Sequence, residues 1–414
     1  MRKRRVVITG LGIVAAIGDA IAEFTDALKK GVCGIGPVTV FDTTDFRTHT
    51  GGEVRDFDPG ATIPKACRRK RMSRSDSMAM AAALEALSDA GLLPVPDQLK
   101  AGVGVVIGGG AGGMPECEAL FRDYLEGGRR LPFSQFVSFC CASSADHIAS
   151  ALGLMGPKTT FMTACSSGGT AVGYARDLIA DGMAEAIVAG GAEPLSRITY
   201  AAFNGLQAVD PEYPKPFDKN RQGMSLGEGA GVLILESLDH ARKRGARILG
   251  EILGYGISCD AHHMTAPDPS ASGAIRCMRA ALADAGIDPS RIDYINAHGT
   301  ATPANDRMET LAIKSVFGDR AYDIPISSTK AMHGHTLGAA GAIEAVVCAL
   351  AIQQKFIPPT VHHDEPDPDC DLDYVAGGAR EADVRIALSN SFAFGGNNTT
   401  VILGVFAEKG SGHE

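Results

Sequence analysis

Short apolar runs and helically spaced apolar stripes alternate along this chain of 414 residues. Val6-Val7-Ile8-Thr9, Val103-Gly104-Val105-Val106-Ile107, residues 159–163, Ala186-Ile187-Val188-Ala189 and Val232-Leu233-Ile234-Leu235 are brief and apolar, most of them rich in β-branched residues, as buried strands are. Between them, residues 77–90 have helical spacing. So does the stretch after residue 165, where Val172, Ala175, Leu178 and Ile179 share one face. From about residue 247 the pattern restarts. Residues 248–256 echo the first strand and 292–296 echo the Val103 strand; 324–328 lead toward an amphipathic helix over 339–352, as the strand before residue 165 leads into its own. Such a repeat predicts an α/β fold of two similar halves, 1–247 and 248–414, with buried sheets covered by helices and with sites where the halves meet.

Composition narrows the function classes. With 45% hydrophobic and 21% charged residues, the chain reads as a soluble globular protein able to bury a large core. A net charge of −9 argues against general nucleic-acid binding. The ten cysteines form no C-x-x-C pair or regular framework, which fits a reducing cytoplasm better than a disulfide scaffold or a zinc module. Arg2 to Arg5 ahead of an apolar run imitate a signal peptide, but the β-branched residues punctuated by Gly10 and Gly12 read better as a strand and turn. No segment offers the roughly 18 uninterrupted apolar residues of a membrane span.

Several stretches hold candidate chemistry. Gly10-Leu11-Gly12 lacks the third glycine of a dinucleotide fingerprint, and the glycine run 108–113 lacks the Lys-Ser/Thr ending of a phosphate loop. Cys165 sits between a strand and a helix. A helix N-terminus favours an anion and would lower the thiol pKa, although a free cysteine is as readily an ordinary core residue. His298 follows a strand and His335 precedes a helix, both in glycine-flanked turns, with Lys330 five residues before His335. Lys65, Arg68, Arg69, Lys70, Arg71 and Arg74 form a basic run in an acidic chain, either a solvated helix face or a docking patch for an acidic partner.

Taken together, the motifs Thr163-Ala164-Cys165-Ser166-Ser167, Gly227-Glu228-Gly229-Ala230-Gly231, Ala297-His298-Gly299-Thr300, Ser328-Thr329-Lys330, Gly334-His335-Thr336 and Asn390-Ser391-Phe392-Ala393-Phe394-Gly395-Gly396 resemble the elongating β-ketoacyl-acyl carrier protein synthases. The resemblance spans essentially the whole chain and implies a thiolase-like fold, layered α-β-α-β-α. Thiolases themselves carry a second catalytic cysteine that has no match here. Chain-initiating synthases have asparagine where this chain has His335, and chain-length factors lack the cysteine.

The resemblance implies a decarboxylative Claisen condensation. Cys165 would carry the acyl chain, His298 and His335 would hold the enolate oxygen of malonyl-carrier protein, and the N–H groups of Cys165 and Phe394 would form a second oxyanion site. Lys330, paired with Glu344, would tune His335, while Thr300 and Thr302 would line the pantetheine tunnel. Met224 and Phe392 would border the substrate, and Ala111 would close the acyl tunnel. The basic run would meet an acyl carrier protein, which delivers phosphopantetheine, so no cofactor or metal of the enzyme's own is expected. A homodimer, or a heterodimer with a related subunit, and a cytoplasmic location follow, with neither nucleic acid nor membrane as partner. Ala111, Met224, Ala393 and Asn397 replace a larger aliphatic residue, phenylalanine, glycine and threonine, which points to long, unsaturated or aryl-capped chains. Two other classes stay open: an idle subunit of a heterodimer, and a thiolase-type acyltransferase acting on coenzyme A.

Overall fold

In a computed structural model, which describes residues 3–68, 72–127 and 133–407, ten strands form one mixed sheet. In chain order they are β1 (Val6–Ala15), β2 (Val103–Gly108), β3 (Lys158–Phe161), β4 (Ala186–Glu193), β5 (Gly229–Ser237), β6 (Gly250–Cys259), β7 (Tyr294–Asn296), β8 (Ile326–Ser327), β9 (Ile386–Ala393) and β10 (Asn397–Gly404). Their spatial order is β8-β7-β9-β10-β6-β1-β5-β4-β2-β3.

That order is the same five-strand pattern twice, run outward from the centre. β1 and β6 meet antiparallel at only Val7–Glu251 and Ile8–Gly250. On each side the first strand pairs antiparallel with the fifth, the fifth antiparallel with the fourth, and the remaining pairs are parallel. Strands β1, β4 and β5 are buried along their whole length, so near-continuous apolar sequence replaces alternation.

Helices complete five layers. α1 (Arg74–Asp89) and α2 (Ser143–Leu152) cover the outer face of the first half; α3 (Ser167–Ala180) lies between the half-sheets; α4 (Ser272–Ala285) and α5 (Pro303–Phe317) cover the second half, and α6 (Ala340–Gln354) joins α3 in the middle layer. Three apolar cores fill the gaps, one inner and two outer. A capping box starts α1, with Ser73 accepting from the Asp76 N–H and Asp76 accepting from the Ser73 N–H.

Glycine sets how closely the layers approach. A Cβ on Gly10 or Gly12 would lie 2.1 Å from the Ala86 carbonyl oxygen or 1.9 Å from that of Ala82, so both glycines admit the α1 backbone. The middle helices likewise touch backbone to backbone, where a Cβ on Gly341 would meet the Gly169 nitrogen at 2.6 Å. The stretch Leu337–Gln354 is apolar and long enough to cross a membrane, but 83% of it is buried inside the fold, where it is the core of the middle layer.

Candidate active site

Cys165 lies where β3 turns into α3. Ala164 holds a left-handed φ of +51°, unusual for a residue with a side chain. Side chains brace the turn: Ser167 Oγ donates to the Ala164 carbonyl at 2.6 Å, Ser166 Oγ donates to that of Thr163 at 2.8 Å, and the Thr163 N–H donates to Ser167 Oγ at 2.9 Å. The expected lowering of the thiol pKa does not occur. Burial pushes it up to about 12, against the pull of the Lys330 charge and of the backbone N–H groups of Phe394 and Cys165 itself, with Glu193 adding to the rise. Desolvation of the anion outweighs what the helix start contributes, so the resting sulfur is a thiol.

His298 stands just past β7. Its own N–H and that of Gly299 both donate to the Glu309 carboxylate, each at 2.8 Å, which fixes the turn from the side of α5. The N–H of His335 donates to the Ser225 carbonyl at 2.7 Å. The two imidazoles meet edge to face, centroids 5.3 Å apart and planes at 82°. His298 Nδ1 and both ring nitrogens of His335 are buried with no hydrogen-bond partner among the described residues. Burial first, and the Lys330 charge second, hold both rings well below the ordinary histidine pKa, so each is neutral and keeps one N–H to donate.

Lys330 stands behind the histidines, almost fully buried and paired with the buried Glu344. Burial raises the Glu344 carboxyl to about 7 against the pull of Lys330. His333, the other histidine of this segment, contacts the Gly334 carbonyl and Thr329 Oγ1 at 2.9 and 3.0 Å, and burial lowers it to about 3; it holds the backbone.

Cys165, His298 and His335 line one cavity of about 320 Å³. Thr300, Thr302, Met224, Phe392 and Phe394 line it too, as expected from the sequence. Phe394 occupies the turn between β9 and β10, its ring stacked on Phe203 at 5.4 Å and 18°. Thr300 and Thr302 join their hydroxyls at 3.0 Å, and Thr302 caps α5.

Not every candidate borders this cavity. Ala111 stands outside its lining, on the loop after β2, where its N–H and that of Gly110 donate to Glu193, each at 2.7 Å, and Gly338 donates to the same carboxylate at 3.1 Å. Arg74 is no docking cation, because its guanidinium grips the buried Glu228 through two hydrogen bonds of 2.8 and 2.6 Å and donates to the Val54 carbonyl. Lys65 and Arg68 are exposed, whereas Arg69, Lys70 and Arg71 lie outside the described residues. Sequence reasoning missed Glu193 and Glu309. The available signal for Glu309 was a pair of acids, Asp306 and Glu309, one turn apart on a helix that otherwise packs into the core.

A cysteine and two neutral histidines at the seam of two repeated α/β halves define a condensing enzyme of the thiolase fold. The comparisons agree. The models of the β-ketoacyl synthase N-terminal and C-terminal domains match residues 3–241 and 249–364. The chain belongs to the β-ketoacyl synthase family, whose members condense malonyl-carrier protein with an acyl chain to form a carbon–carbon bond. It is 44% identical to 3-oxoacyl-[acyl-carrier-protein] synthase 2 of Coxiella burnetii, over 97% of this chain and 99% of that one. Among solved structures, the ishigamide ketosynthase/chain length factor superposes with a TM-score of 0.91 at 42% identity, covering 98% of this chain and 100% of its own. A type II polyketide ketosynthase in complex with its acyl carrier protein, bound to a hexaketide, gives a TM-score of 0.88 at 33% identity, over 98% and 100%.

Proposed function

We propose that Cys165 carries the growing acyl chain and that His298 and His335 drive malonyl decarboxylation. The observation that carries this reading is one cavity lined by the cysteine and two neutral imidazoles whose buried nitrogens have no partner among the described residues. In the first step the Cys165 sulfur bonds to the acyl carbon and the bond to pantetheine sulfur breaks. The proton leaves the thiol for the departing sulfur, with a neutral imidazole able to relay it. In the second step malonyl-thioester loses CO₂, and the electron pair moves into an enolate whose oxygen accepts from His298 and His335. The enolate carbon attacks the acyl carbonyl and the Cys165 thiolate is expelled. Oxyanions formed at that carbonyl accept from the N–H groups of Cys165 and Phe394, both of which act on the sulfur in the resting enzyme.

Lys330 acts at one remove, keeping both imidazoles neutral. Thr300 and Thr302 contact the pantetheine arm, Met224 and Phe392 border the reacting groups, and Ala111 bounds the far end of the acyl path. Lys65 and Arg68 meet an acidic carrier protein that brings phosphopantetheine, so the enzyme needs no cofactor or metal of its own. The active unit is a dimer, of two copies or of this chain with a related subunit, in the cytoplasm. Its relatives include a fatty-acid-type synthase and polyketide ketosynthases, and the small Ala111 favours long or unsaturated chains. The test is intact mass spectrometry of carrier protein after incubation with a panel of acyl primers and malonyl-carrier protein. A two-carbon ketide extension is expected; no extension with any primer, alone or with a related subunit, refutes the reading.

A further inference from the structure

The mouth of the cavity is framed by residues 260–267, just before α4, of which Asp260, Thr265, Ala266 and Pro267 line the opening. This segment has an unusual internal support. The exposed His263 ring turns back on its own chain, its Nδ1 accepting from the N–H groups of Thr265 and Ala266, each at 3.1 Å, with Thr265 Oγ1 at 3.4 Å. Ala261 and Ala271, on either side, both hold left-handed φ values, +50° and +58°, so the conformation has to be imposed by contacts. Met264, between the two ends of the His263 turn, points its carbonyl at the turn of Phe394 and accepts from the Gly395 N–H at 2.8 Å. A second clip lies alongside, where the Asp260 N–H donates to the Gly396 carbonyl at 2.9 Å.

We propose that His263 is a positioning residue for the condensation: its imidazole folds the mouth segment so that Met264 holds Gly395, and with it the Phe394 turn, in place over Cys165. The proposal rests on the reading of Phe394 as an oxyanion donor given above. Only a ring nitrogen without a proton serves as the acceptor.

The test uses the full-length enzyme and two variants. In hydrogen exchange read by mass spectrometry, His263→Ala should speed exchange about tenfold in peptides covering 264–268 and 393–398, the scale of losing one to two hydrogen bonds, while α6 stays protected. His263→Asn supplies Oδ1 at the position of Nδ1 and should restore slow exchange. Acyl transfer to Cys165 should fall about five- to tenfold in kcat/KM for His263→Ala and recover in His263→Asn. Unchanged exchange at 393–398 in His263→Ala, or exchange in His263→Asn as fast as in His263→Ala, overturns the proposal. Exchange that responds while acyl transfer stays at the parent rate overturns the catalytic role through the reading of Phe394 beneath it, not through the clip.

Discussion

The two halves of this enzyme share one topology and bring different side chains to the one cavity. In each, the third strand leads to the helix of the middle layer. The first half makes that connection with residues 162–166 and sets Cys165 directly at the helix start; the second uses residues 328–339 and fits Lys330, His333 and His335 into the longer path. The loops after the second strands are related in the same way. Gly110 and Ala111 donate both N–H groups to buried Glu193, and His298 and Gly299 donate both to buried Glu309. The carboxylates stand on different elements, Glu193 at the end of β4 and Glu309 on α5, so each half holds this loop by its own clamp, and the position two residues past the strand is Gly110 in one half and His298 in the other. A repeated fold thus offers equivalent positions, and on the proposed mechanism side-chain choice at those positions separates acyl storage from enolate stabilisation.

The division can be broken most severely at Cys165. Cys165→Ala should form no acyl-enzyme and lose condensation by at least about a thousandfold, while malonyl decarboxylation persists, because the second half is untouched. Mass spectrometry of the protein and CO₂ release measure the two steps separately. A stoichiometric acyl adduct on the variant would falsify the assignment.

The converse break is at the histidines. His298→Ala or His335→Ala should leave acylation of Cys165 largely intact and cut CO₂ release by roughly a hundredfold, the scale of one oxyanion donor. Acylation lost with decarboxylation kept would exchange the roles of the halves.

What the sequence discloses follows the same line between local and remote causes. Strands such as Val103–Gly108, and the restart near residue 247, were legible because burial on both faces demands β-branched runs wherever the strand lies. Gly10 and Gly12 were ambiguous, since a phosphate turn and the backbone of α1 make the same demand for a missing Cβ. Arg74 read as one of a basic run because its partner, Glu228, lies 154 residues away. The thiol pKa was misjudged because the helix start is local and visible, whereas the burial that outweighs it comes from the whole fold. Glu193 and Glu309 were hidden for a related reason. Their partners are backbone N–H groups, which every residue has and no sequence distinguishes.

Those two carboxylates sharpen the comparison with a smaller effect. Burial raises both to about 7, against the N–H groups that favour the anion. An unfolded glutamate titrates near 4.5, so between about pH 4.5 and 7 the folded state binds more protons than the unfolded one, and each group takes stability away as pH rises through that window. Replacing either by glutamine removes this slope. The variant's stability relative to the parent should therefore climb between about pH 4.5 and 7 and stay level outside it, as read by denaturant unfolding at several pH values. Kinetics should tell the clamps apart: Glu309→Gln loses about tenfold in CO₂ release by loosening His298, whereas Glu193→Gln spares that step and alters the preference among acyl chains.

The smallest expected effect concerns the surface, where the halves differ again. The segment before α1 in the first half presents Lys65 and Arg68 to solvent, while its counterpart before α4 in the second carries Asp260 and Asp268. An acidic carrier protein should therefore be steered by the first half alone. Rim charges act mainly on the rate of encounter, and exposed ion pairs are worth only about 0–1 kcal/mol each, so Arg68→Glu should raise KM for acyl-carrier protein by roughly three- to fivefold. Part of the salt dependence should vanish with it, because the lost attraction is the screened one. Turnover of a short acyl-pantetheine, which has no acidic surface to steer, should stay at the parent rate. Equal damage to both substrates would mean that Arg68 supports the start of α1, and the asymmetry of docking would have to be sought elsewhere.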